Sequence, residues 1–233
     1  MFEVAAAYAY SLRHKMEYNV PIDGQNYVRF FPNIKTGLQL PQDHIQYKEQ
    51  THGFVAIPYY ENVKIAEYFQ SELYFKDYRN EVLELFGLPY QLNKGVVSIH
   101  VRRGDYVTYH THFPPVDYRY LEPAVKFFKE RGFKKFLVFG DDPHWNRQHI
   151  NPENYFGCEF EYSAGRTEYE DLVLMSQCEH NIIANSTFSW WAAWLNRNPK
   201  KIVVSPSWKN WFGKNVKLDT KDIIPKSWYQ IQF

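Results

Sequence analysis

From about residue 94 onward, short apolar runs alternate with longer stretches that mix apolar and polar positions at helical spacing. The runs at 96–101, 136–139, 181–184 and 201–205 lack strict polar alternation, which predicts strands covered on both faces, and 159–162 reads as a further short strand. Between them, 118–131, 143–149, 168–178 and 189–196 read as helices. Strand and helix in this succession predict β-α-β units, so the fold class is α/β with a parallel sheet flanked by helices. The first 93 residues read differently. An alanine-rich helix runs to about Lys15, and Pro21, Gly24, Pro32, Gly37 and Pro41 then break the pattern. A further helix over 77–86 stops at Gly87 and Pro89. The expected organisation is a smaller, irregular α/β half at 1–93 and a regular half at 94–233.

Right-handed parallel connections gather the loops that follow each strand onto one rim. The polar clusters of the second half fall there. His100-Val101-Arg102-Arg103-Gly104-Asp105-Tyr106 follows the first strand, Gly140-Asp141-Asp142 the next, and Asn185-Ser186-Thr187 a third. Two adjacent guanidiniums suit a diphosphate, because each offers paired N–H donors and neither loses its charge. An ion pair with Asp105 is the structural alternative. Arg103-Gly104-Asp105 as an adhesion tripeptide is a poor reading, since three residues recur by chance and these abut a buried strand.

Each remaining candidate has two readings. Asp141 and Asp142 could ligate a divalent ion or order the loop around a nucleotide, but two carboxylates alone make a poor magnesium site. Asp142 before Pro143 also reads as a helix cap followed by a favoured first position. Ser186, Thr187 and Ser189 stand where a helix N-terminus presents free N–H groups to a phosphate, or serve as ordinary caps. The tryptophans behind them read as core. Asp171, opening an apolar helix, could accept bonds from a guanine or simply complement the helix dipole. His100 could be a base reader or a satisfied core histidine.

Lysine and arginine number 27 against 26 acidic residues, so no basic excess points to nucleic acid or an anionic membrane surface. Two cysteines, Cys158 and Cys178, sit in apolar segments, too few for a disulfide framework, which makes a reducing compartment the default. No apolar stretch is long enough to span a bilayer, and the start lacks the basic region and cleavage site of a signal peptide. The expectation is a cytoplasmic protein, with peripheral contact at the inner face of the membrane allowed. The many aromatic residues read first as core filling, with stacking on a sugar ring or base as a supplement.

Taken in order, His100 to Tyr106, then Phe139-Gly140-Asp141-Asp142, then Asp171-Leu172 and the segment Ser176 to Trp191 resemble the α-1,2-fucosyltransferases, glycosyltransferase family 11. Tyr68 to Phe75 and Ile202 to Trp208 are similar to that family too. The resemblance implies a GT-B-like fold whose C-terminal Rossmann-type domain binds GDP-L-fucose, with residues 1–93 on the acceptor side. It implies inversion at the sugar carbon, a galactose-terminated glycan as acceptor, and neither cofactor nor metal. By it, Arg103 with Arg102 grips the diphosphate, and His100 and Asp171 read guanine. Ser186, Thr187 and Ser189 face the phosphates, Asp105 is an essential acid that orients an arginine, and Asp141 and Asp142 belong to the donor site. Asp105, His110 and His112 are the candidates for a general base. Family members begin with a strand and a turn similar to Gly-Gly-Leu-Gly-Asn-Gln-Met-Phe, of which Met1-Phe2 matches the end. The first βα unit is therefore expected to be incomplete. The alternatives are another GDP-sugar transferase, including one using GDP-mannose, and an inactive nucleotide-sugar or glycan binder.

Overall fold

In the computed structural model, which describes residues 1–21, 26–37 and 41–233, the chain forms two compact units. The first comprises Met1–Leu88 and Leu218–Pro225. Its opening helix α1 (Phe2–His14) turns Phe2, Val4, Ala5, Ala6, Ala9 and Tyr10 inward, and closes on Arg13 and His14, which suit the negative end of the helix dipole. Two short strands that the sequence pattern did not predict, β1 (Ile45–Lys48) and β2 (Val63–Ala66), pair in parallel. Helix α2 (Arg79–Phe86) ends at Gly87, as expected. The late segment joins this unit in part through Asp222, whose carboxylate accepts the Phe54 N–H at 3.0 Å. Gly24 lies outside the described residues.

The second unit comprises Pro89–Lys217 and Lys226–Phe233. It runs β3 (Asn93–Val101), a short α3 (Gly104–Thr108), α4 (Tyr118–Lys129), β4 (Lys135–Gly140), α5 (Pro143–His149) and β5 (Glu159–Tyr162). It continues with α6 (Glu168–Gln177), β6 (Cys178–Ile182), α7 (Thr187–Leu195), β7 (Val203–Pro206) and β8 (Tyr229–Ile231). The six strands form one wholly parallel sheet in the order β5-β4-β3-β6-β7-β8. Counted within the unit, that is the 3-2-1-4-5-6 order of dinucleotide-binding sheets. The chain leaves β3 in one direction and resumes at β6 in the other, so the switch point lies between these two strands. The expected α/β class and Rossmann-type sheet are both present.

Alternation along β3 sends its side chains to two different faces. Val97, Ile99 and Val101 join Phe136, Val138, Ile182 and Val204 in a core covered by Tyr120, Leu121, Ala124, Val125 and Phe128 of α4. Apolar burial of this kind contributes about 1.5–3 kcal/mol per large side chain. The Tyr120 hydroxyl lies 2.7 Å from the Ile183 carbonyl and 3.0 Å from that of Val204, pinning α4 to two strands. Burial drives its pKa well upward, so it stays a neutral donor.

The opposite face is polar in its middle. The Asn181 amide donates to Ser98 Oγ (2.8 Å) and to the Met175 carbonyl (2.9 Å), and its oxygen accepts from Asn196 (2.9 Å). Asn196 also donates to the Cys178 carbonyl at 2.7 Å. Lys201 sends its ammonium to the carbonyls of Ala193, Trp194 and Asn196, closing the C-terminus of α7. This network explains why β6 begins at Cys178 rather than at 181. Helix α6 passes straight into the strand, and the polar residues that hide the strand pattern are all bonded internally. Cys158 and Cys178 are free and buried. Trp190, Trp191 and Trp194 are core, as expected. Among the described residues no helix is long and apolar enough to cross a membrane.

Candidate active site

β3 ends at Val101, which pairs with Gly140 of β4, so Arg102 and Arg103 emerge beside the Asp141-Asp142 turn. Gly140 must be glycine here, and Gly104 leaves room for the Asp141 carboxylate. A Cβ on Gly104 would stand 2.6 Å from Asp141 Oδ2, and one on Gly140 would strike the Val101 carbonyl. The approach of the two loops is thus set by residues without side chains.

The two arginines have different surroundings. Arg102 is held from both sides: Nε and Nη2 donate to Asp105 Oδ1 at 3.1 and 2.8 Å, and Nη1 reaches Asp141 Oδ2 at 2.9 Å. Asp141 Oδ1 also accepts the Arg103 backbone N–H at 2.8 Å. Asp105 therefore orients an arginine. Arg103 makes one side-chain bond, from Nε to Asp142 Oδ2 at 3.3 Å, and its guanidinium lies 4.1 Å over the Trp145 ring. Among the described residues its terminal nitrogens carry no hydrogen bond. Asp142 caps α5 through the Trp145 N–H (3.0 Å), which with Arg103 holds its carboxyl below the usual range. Two cations face three carboxylates, so any pull on a diphosphate comes from aimed donors rather than from a broad positive field.

Across the switch point, Ser186 caps the main chain of α7 without a side-chain capping bond. The hydroxyls of Ser186 and half-buried Thr187 carry no hydrogen bond among the described residues. The first N–H groups of α7 point the same way by helix geometry. Ser189 differs: it is fully buried and its hydroxyl donates back to the Ser186 carbonyl at 3.3 Å, which leaves it inside the helix rather than on the rim. Tyr106 ties the two sides together, donating to the Asn185 carbonyl at 3.0 Å. Asn185 in turn donates to the carbonyls of Pro114 (3.1 Å) and Trp211 (3.0 Å).

His100 is 5% exposed, packs against Phe188, and leaves Nδ1 without a partner among the described residues. Burial, with Arg102 opposing Asp141, takes its pKa down to about 4, so the ring is neutral near pH 7. It is therefore not a satisfied core histidine; His180 is one, with Nδ1 accepting the Ile202 N–H at 3.0 Å. Asp171 stands in the first turn of α6, with Oδ1 accepting the Ser163 hydroxyl at 2.5 Å. Burial raises its pKa, and Ser163 and Arg166 oppose the shift. His110 and His112 sit in the turn after α3; His112 Nδ1 lies 3.2 Å from the Thr111 hydroxyl. Among the described residues no group of three or more His, Cys, Asp or Glu is placed to hold a metal.

The profile of Glycosyl transferase family 11 matches residues 39–232, a span that contains every rim residue described above. The chain belongs to glycosyl transferase family 11. It is similar to the O-antigen biosynthesis glycosyltransferase WbnK of Escherichia coli, with 37% identity over 66% of this chain and 56% of the relative. It is 31% identical to an alpha-1,2-colitosyltransferase of Escherichia coli, over 73% of this chain and 63% of the relative. A galactoside 2-alpha-L-fucosyltransferase SEC1 of Bos taurus is 36% identical over 42% of this chain and 28% of the relative. The chain thus spans 56% and 63% of the two bacterial relatives' lengths. No solved structure gives a significant match. Within this family 11 chain, sequence reasoning placed Tyr106 and Asn185 on the rim without giving them a role, and missed Trp145. Trp145 was signalled by the Asp142-Pro143 cap, which fixes the residue two places beyond the proline, but its contact with Arg103 needs the fold.

Proposed function

We propose that the protein moves L-fucose from GDP-β-L-fucose to the 2-hydroxyl of a terminal β-galactoside, inverting the sugar carbon. The acceptor oxygen forms the new bond to that carbon as its bond to the diphosphate oxygen breaks. GDP leaves, and the hydroxyl proton passes to a base, for which Asp105, His110 and His112 remain the candidates. The observation that carries this reading is the pairing of unbonded Arg103 Nη donors with the open N-terminus of α7 on either side of the switch point. Charge growing on the departing diphosphate would meet donors already in place, the largest kind of catalytic contribution. His100, neutral, and the Asp171 carboxylate would read the base, and Ser186 and Thr187 the phosphates. Arg102 serves the site by holding Asp105 and Asp141, and the aimed cations need no added metal ion.

The named relatives support transfer of a sugar in α-1,2 linkage, and the colitosyl relative favours a second reading in which a different sugar is carried. Calorimetry with GDP, GDP-fucose and GDP-mannose, then an assay of released GDP with a lactose-type acceptor, tests both. Turnover of GDP-fucose with acceptor supports the first. Binding of GDP with turnover of another donor only supports the second. Failure to bind GDP rejects both.

A further inference from the structure

We infer that Trp145 is a positioning residue for Arg103, holding the guanidinium so that its terminal edge faces the leaving diphosphate. The inference rests on the transferase reading above and extends it to a residue that lies outside the arginine loop. Trp145 offers its ring face 4.1 Å below the Arg103 guanidinium carbon, while Asp142 engages Nε at 3.3 Å. Asp142 fixes the same indole's backbone by accepting the Trp145 N–H at 3.0 Å. The His149 ring stacks on the same indole, 4.3 Å away and tilted by only 11°, with His149 Nδ1 2.9 Å from the Trp145 carbonyl. Guanidinium and imidazole thus both pack against the one indole of α5.

The physical consequence is directional. A guanidinium on an aromatic face keeps its in-plane N–H groups available, because the π contact uses the face and leaves the edge. With Nε taken by Asp142 and the guanidinium carbon over the Trp145 ring, the two terminal nitrogens are the part left without a hydrogen bond among the described residues. An unsupported arginine gives up side-chain rotamer freedom each time it grips a ligand, whereas a stacked one has lost much of it beforehand. Trp145 therefore acts through Arg103 and does not itself touch substrate.

The test is a double-mutant cycle of Trp145→Ala and Arg103→Ala, read by kcat/KM for GDP-fucose and by GDP affinity in calorimetry, with Trp145→Phe alongside. Trp145→Ala should lower kcat/KM about 3- to 30-fold, the range a cation–π contact supports. Trp145→Phe should recover most of that loss. In the Arg103→Ala background, Trp145→Ala should change neither readout by more than about twofold, while its effect on the melting temperature persists. A loss of equal size in both backgrounds, or none in the parent, overturns the inference, because a packing role would be blind to Arg103. If Trp145→Ala does not fold, Trp145→Met, which fills space without a ring face, replaces it in the same cycle. An Arg103→Ala variant that binds GDP and turns over like the parent instead defeats the transferase reading itself. GDP affinity gives the same cycle whichever sugar is carried.

Discussion

The second unit treats polar groups in opposite ways at the middle of its sheet and at the carboxyl end. In the middle, Ser98, Asn181 and Asn196 bond to one another and to the backbone carbonyls of Met175 and Cys178. At the end, His100 Nδ1, Asn146 Oδ1 and Asn185 Oδ1 are buried with no partner among the described residues. Leaving such a group unbonded costs about 1–3 kcal/mol, so the contrast has an energetic meaning. The partnered middle specifies the fold. At the unpartnered end, His100 and Asn185 flank the switch point, beside the open terminal nitrogens of Arg103.

Removing the aimed cation is the strongest way to break this comparison. Arg103→Ala is expected to lower turnover about 10²- to 10³-fold while leaving the melting curve nearly unchanged. Near-parental turnover would show that the carboxyl end is not the reacting centre. Asn181→Ala should do the reverse, destabilising the protein by about 2–3 kcal/mol in urea unfolding while GDP affinity holds. A matching loss of affinity would erase the distinction between middle and end.

His100→Phe probes the end from the stability side. It removes an unbonded buried nitrogen, so stability at pH 7 should hold or rise by up to about 1 kcal/mol while GDP affinity falls about 2- to 12-fold. The sign with pH follows from the depressed pKa, about 4 in the fold against 6.5 for a free imidazole. Between those values the unfolded chain binds a proton that the native ring refuses. Its contribution is therefore full above 6.5 and is lost as pH falls toward 4. His100→Phe should flatten the fall in stability across that window; an unchanged slope in paired unfolding curves at its two ends would contradict the burial argument. The smallest effect is expected from Ser186→Ala. With no side-chain capping bond to lose, stability should stay within about 0.5 kcal/mol, against about 1 kcal/mol for a working cap. Turnover should drop only a few-fold, about the worth of one hydrogen bond. A clear stability loss would make Ser186 a cap after all.

Much of the second unit was legible because its strands are apolar and its helices amphipathic, two periodicities written directly in residue order. The arginine loop, the Asp142 cap and the rim position of Ser186 follow from the same pattern, since each lies immediately after a strand. The short strands β1 and β2 were not legible: four residues each, with mostly half-exposed positions, leave no period to detect. Strand β8 failed for the same reason, and the tie from Phe54 to Asp222 joins residues 168 positions apart.

Local chemistry by itself determined which residues cap, cover or end each element, and hence that cations and hydroxyls meet on one sheet edge. Only the tertiary structure decided how those groups are used. It committed Arg102 to two carboxylates, set Arg103 on an indole, turned Ser189 inward and left His100 unpaired. The reason is that a side chain's free donors depend on what the rest of the chain brings within about 3 Å of it, and such partners carry no mark in sequence order.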